Sequence, residues 1–155
     1  MRTEKLPDQN KIHETEKDKA NQKAALARYV EWLKYNGVDV RMEMARELSR
    51  YDARLYSGDN YLRIVEVKCR NCPADQYDTY TVDSNKIDRL YYKAIEDGVG
   101  ATLLVSWKGD LRVLTVRGCV EPPKERFKTA FQKRKDRKEK ADKVYCIPIA
   151  EFTKL

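Results

Sequence analysis

Residues 51–70 read YDARLYSGDNYLRIVEVKCR. Two runs rich in Leu, Ile, Val and Tyr flank Ser57-Gly58-Asp59-Asn60. Gly58 takes positive φ freely, and Asp59 and Asn60 tolerate it, so Tyr51–Ser57 and Tyr61–Cys69 are expected to form a β-hairpin. In the second run the side chains alternate. Leu62, Ile64, Glu66 and Lys68 share one face, and Arg63, Val65, Val67 and Cys69 the other. Glu66 and Lys68 therefore end an otherwise apolar row. The hairpin register carries Asp52, at the start of the first strand, to the side of Glu66. Two carboxylates and an amine gathered at a sheet end are costly if buried without partners. A divalent cation, which prefers oxygen ligands, would neutralise the carboxylates.

Working outward, Leu26, Tyr29, Val30 and Leu33 recur at helical spacing, which predicts a helix from about Glu14 to Asn36, closed by Gly37. A strand is expected from Val38 to about Ala45. Asn71 to Val82 reads as a polar loop bearing tyrosines. A second helix is expected from about Ser84 to Asp97, with Asp83 or Ser84 as N-cap, Gly98 as stop, and Ile87, Leu90, Tyr91 and Ile95 on one side. ATLLVSW and LRVLTV then suggest another hairpin across Lys108-Gly109-Asp110. Pro122-Pro123 precedes a basic segment, 124–143, and the chain closes with a strand VYCIPI and a short tail. The order α-β-β-β-α-β describes an α/β domain with a mixed sheet flanked by helices. Residues 1–13 are polar and expected to be disordered. Residues 14–155 are expected to form one domain.

The 155 residues carry a formal net charge of +7, and 37% of them are charged. Such a balance favours an acidic polymer as partner, nucleic acid before an anionic membrane surface. The chain lacks an eighteen-residue apolar run, and its first residues lack the apolar stretch of a signal peptide, so a cytoplasmic protein without a membrane partner is expected. Cys69, Cys72, Cys119 and Cys146 are too few and too irregular for a disulfide framework and read as reduced thiols. Cys69-Arg70-Asn71-Cys72 has a spacing that can seat zinc with Cys119 and Cys146, but the distant pair lacks matching spacing.

An aspartate opening one strand, E-x-K closing its hairpin partner, and helices before and after together resemble the PD-(D/E)XK nuclease superfamily, in particular its small archaeal-resolvase-like and phage-encoded members. The resemblance covers roughly residues 22–116, and Asp52, Glu66 and Lys68 match the three motif positions. Tyr51 stands where the family's motif has proline. The resemblance implies a restriction-endonuclease-like core and hydrolysis of DNA phosphodiester bonds in recombination, repair or phage DNA processing. It implies Mg²⁺, with Mn²⁺ as a substitute, held by Asp52, Glu66 and the Val67 carbonyl. Lys68 would position or deprotonate the attacking water. Resolvase-like members work as homodimers. Many members add a glutamate from the first helix; here Glu16 and Glu31 fall off the Leu26 stripe, whereas Gln22 falls on it. Gln22 either takes the glutamate's catalytic place or is a polar boundary residue. The substitution keeps open an alternative, a catalytically inactive module of the same fold that binds DNA or a protein partner.

Further candidates for DNA contact are Lys86, in the first turn of the second helix, and Arg70, just beyond Lys68. Tyr77 and Tyr80 can stack on an exposed base or pack down. Segment 124–143 holds ten Lys or Arg against four acidic residues, a local charge of +6. Phe127 and Phe131 would anchor it as a basic helix or mobile arm. Lys133, Arg134, Lys135, Arg137 and Lys138 then form either a solvated face or a clamp on the phosphate backbone.

Overall fold

The hairpin across Gly58 forms. β2 (Ala53–Ser57) pairs antiparallel with β3 (Asn60–Cys69), and Ser57 opposes Asn60 across a turn in which Gly58 sits at φ 61°. The computed structural model of the chain describes residues 16–46, 49–134 and 137–155. The expected disordered start, 1–13, lies outside the described residues.

The first helix, α1 (Glu16–Tyr35), leads into a short edge strand, β1 (Arg41–Met44), antiparallel to β2. After β3 come a 3₁₀ turn at Ala74–Gln76, strand β4 (Thr79–Asp83) and helix α2 (Ser84–Asp97). β5 (Gly100–Trp107) then returns parallel to β3 and pairs antiparallel with β6 (Asp110–Arg117). A single helical turn, α3 (Pro123–Arg126), precedes β7 (Lys128–Arg134) and β8 (Arg137–Pro148), and β9 (Thr153–Lys154) ends the chain. One sheet has the order β1-β2-β3-β5-β6-β9 and is mixed because only the β3–β5 pair is parallel. A second, three-stranded sheet has the order β4-β8-β7. This is the expected α/β architecture, with helices on both sides of a mixed sheet.

The alternation of β3 divides the core in two. Val65 and Val67 pack with Ala25, Leu26 and Tyr29 of α1, whereas Ile64 packs with Ile87, Leu90 and Ala94 of α2. Each wholly buried valine or leucine contributes on the order of 2 kcal/mol, so these two seams hold the layers together. The local signals at α2 work as expected: the Asp83 carboxylate accepts from the Asn85 N–H at 2.9 Å, and Gly98 closes the helix at φ 70°.

Three expectations are corrected. Beyond the helical turn α3 the basic segment is neither a basic helix nor an unpaired mobile arm but the β7–β8 hairpin, with Phe127 buried and Phe131 73% exposed. Pairing with VYCIPI decides this, because β8 extends that strand backwards to Arg137. The polar loop 71–82 contains β4, whose Tyr80 and Val82 are buried against the second core half. Ile95 is exposed: the buried stripe of α2 runs through Ile87, Leu90 and Ala94, leaving Ile95 at its margin.

Candidate active site

Register places Ala53 opposite Val65, so Asp52 falls beside Glu66 at the point where β2 enters the sheet. Backbone and side chain both fix it there. The Asp52 N–H donates to the Val65 carbonyl at 2.8 Å, and the Ala45 N–H donates to the Asp52 carbonyl at 2.9 Å. The Asp52 Oδ2 accepts from the Val67 N–H at 2.8 Å. A carboxylate held by a charge-assisted backbone bond in this way keeps its orientation without a partner side chain.

On the α2 side of β3, Lys68 Nζ lies 3.4 Å from Glu66 Oε2, and the two side chains are 23% and 16% exposed. Burial, then the charge of Asp52, pushes the Glu66 carboxyl up from the usual 4.5 to about 7, against the opposing pull of Lys68 and Lys86. The nearby lysines do not fully compensate the carboxylate pair. Such a pair suits a hard cation, since oxygen donors of like charge at close range favour a metal over two free carboxylates. The donor set would be Asp52, Glu66 and a backbone carbonyl. Among the described residues no group of three His, Cys, Asp or Glu side chains gathers as a metal cluster, the four cysteines included.

The remaining sequence-derived candidates divide by position. Lys86 is exposed in the first turn of α2, close enough to act electrically on Glu66. Arg70 continues β3 beyond Lys68. Its guanidinium donates to the Tyr80 hydroxyl at 2.9 Å and stacks 4.9 Å from that ring's centre. Tyr80 itself is 4% exposed and edge-on to Trp107 and Phe152, so it packs down rather than offering a face to a base. Burial drives its hydroxyl up to about 12, and the ring serves to hold Arg70. Tyr77, at 63% exposure, keeps an open surface. Gln22 is half-buried on the stripe of Leu26, as expected. Its helix covers the Val65–Val67 side of β3, opposite the side of Glu66 and Lys68. Lys133 and Arg134 lie on β7, Arg137 and Lys138 on β8, and Lys135 lies outside the described residues.

Sequence reading missed a cleft beside this site. It holds about 320 Å³ between α1 and the ends of β3 and β5, and Asn21, Arg28, Arg70, Asn71 and Trp107 line it. A signal was available: Asn21, Ala24, Ala25 and Arg28 follow the i, i+3, i+4, i+7 spacing of one helix face, with two alanines leaving room between two polar ends.

Among solved structures the chain is similar to Hjc, a Holliday junction resolvase of the archaeal hyperthermophile Archaeoglobus fulgidus. The likeness covers 84% of this chain and 93% of that one, with a TM-score of 0.47 and 15% identity. The curated proteins give no match. The family described as "Phage putative PDDEXK endonuclease" matches residues 9–155. That span takes in both sheets, α1 and the strands that carry Asp52, Glu66 and Lys68, and the chain belongs to this phage PD-(D/E)XK endonuclease family.

Proposed function

We propose that the protein is a metal-dependent deoxyribonuclease that hydrolyses phosphodiester bonds during recombination, repair or phage DNA processing. The observation that carries this reading is the half-buried Glu66 carboxylate held beside Asp52 and 3.4 Å from the Lys68 ammonium, in a chain of this endonuclease family. Asp52, Glu66 and the Val67 carbonyl would hold Mg²⁺ or Mn²⁺. When bound, such an ion lowers the pKa of a coordinated water and offsets charge that builds on the phosphate.

The protein's own groups do the rest. The Val67 N–H fixes the Asp52 carboxylate, so this donor is oriented before any ion arrives. Lys68, on the same face as Glu66, holds the attacking water and offsets charge on the scissile phosphate. Lys86, exposed in the first turn of α2, binds the same or the next phosphate, where the helix end carries positive partial charge. Arg70, braced by Tyr80, binds a phosphate beyond the end of β3. Gln22 lies on the helix that covers the opposite side of β3 and is read as a polar boundary residue rather than as a member of the metal set.

Supercoiled, linear and four-way-junction DNA, each incubated with the purified protein in Mg²⁺, Mn²⁺ or EDTA, tests the reading. Cleavage of at least one substrate with either metal and none in EDTA is expected. Binding without cleavage on every substrate would replace the enzyme by a DNA-binding module of the same fold.

A further inference from the structure

The β7–β8 hairpin outgrows its sheet. β4 lies along β8 only from Val144 to Pro148, whereas β7 pairs with β8 from Lys128 opposite Cys146 out to Arg134 opposite Arg137. Among the described residues, the outer ribbon beyond Val144 therefore has no third strand beside it in this sheet. Directly opposed residues of an antiparallel pair share a face. Ile147, Tyr145 and Lys143 of β8 thus lie on one face with Thr129 and Phe131 of β7. At its inner end that face is core: Tyr145 and Ile147 are buried, and the Tyr145 hydroxyl donates to Asp88 Oδ1 of α2 at 2.6 Å.

Two residues outward along β7, the same face presents Phe131, 73% exposed, opposite the exposed Lys143. At that exposure the ring adds little to the core. The segment that carries it is strongly basic in sequence, since residues 128–143 hold eight Lys or Arg against three acidic residues. The ribbon leaves the body where β4 ends at Asp83 and α2 begins at Ser84, the helix end whose Lys86 acts on Glu66.

We propose that the β7–β8 ribbon is an arm that enters a groove of duplex DNA and that Phe131 is an apolar wedge inserted between adjacent bases. The proposal rests on the reading of DNA as substrate and goes beyond it, since a phosphate clamp needs charge alone. A two-stranded ribbon can enter the minor groove, and basic residues neutralise the flanking phosphates. Phenylalanine side chains inserted at a base step unstack it and kink the duplex. Placed beside the α2 end, the kink opens the backbone toward the carboxylate pair.

Duplexes carrying 2-aminopurine at successive positions report unstacking as a rise in fluorescence, read in parallel in EDTA and in Ca²⁺. The wild-type protein is expected to raise the signal several-fold at one or two steps. Phe131→Ala loses that rise and binds about ten-fold more weakly, the loss of one stacking contact, while the slope of log Kd against log salt stays unchanged. Phe131→Trp retains the rise. Circular dichroism checks that the variants are folded. A wild-type complex without any rise, or an equal rise with Phe131→Ala, overturns the wedge and leaves DNA as substrate. Failure of the wild type to bind any duplex overturns the DNA reading and the wedge with it. Concentration-dependent self-association that Phe131→Ala abolishes would give the ring to a second copy of the chain and overturn the wedge as well.

Discussion

Asp52→Ala, Glu66→Ala and Lys68→Ala are each expected to lower single-turnover DNA cleavage by about three orders of magnitude or more, with DNA affinity changed by less than about ten-fold. The size follows from what each group does. Asp52 and Glu66 are the two side-chain oxygen donors of the proposed metal set, and two carboxylates sharing one ion cannot substitute for one another. Lys68 acts on the water and the phosphate where charge develops, so its loss falls on kcat rather than on binding. The fold survives because none of the three contributes apolar packing, and the surrounding strands are held by Ile64, Val65 and Val67. Quenched-flow cleavage at saturating DNA, with Kd measured separately, checks this. Activity within ten-fold of wild type in any of the three would remove that residue from the site.

A second large effect concerns stability without metal. Glu66 holds its proton up to about pH 7 in the folded protein but releases it near 4.5 when unfolded. Between those values the folded state binds the extra proton, so stability falls as pH rises through this window and is level above it. The full drop is roughly 3 kcal/mol. Glu66→Gln removes the charge that burial and Asp52 oppose, so it is expected to be the more stable protein at pH 8 and close to wild type at pH 4.5. Urea unfolding in EDTA at several pH values reads this directly. A glutamine variant less stable than wild type at pH 8 would mean that Lys68 and Lys86 outweigh burial.

The centre of this site was legible because its elements are local. Turn chemistry at Gly58 fixed the hairpin, strict alternation put Glu66 and Lys68 on one face, and short hairpin register brought Asp52 across. The cap at Asp83 and the stop at Gly98 were legible for the same reason. What failed was decided by distant pairing. Lys and Arg are so dense in 128–143 that neither a helical nor a strand period stands out, and only the pairing of β7 with β8 settles the matter. In β4 the alternation of Tyr80 and Val82 was present, but Thr79, Thr81 and Asp83 between them gave the segment the look of a loop. Tyr80 therefore stood between stacking on a base and packing down, and the fold packs it against Trp107 and Phe152 under Arg70. Helical phase found the stripe of Gln22 correctly, yet nothing in the sequence told which side of β3 that helix covers.

The central claim, that Asp52 and Glu66 share a divalent cation beside Lys68, is tested most directly by calorimetric titration of Mn²⁺ into the metal-free protein. At pH 8 the wild type is expected to bind one or two ions, and at pH 5.5 more weakly, because Glu66 must give up its proton first. Asp52→Ala is expected to lose this binding at both pH values. A wild type that binds no Mn²⁺ at pH 8, or an Asp52→Ala variant that binds it as well as wild type, would contradict the claim.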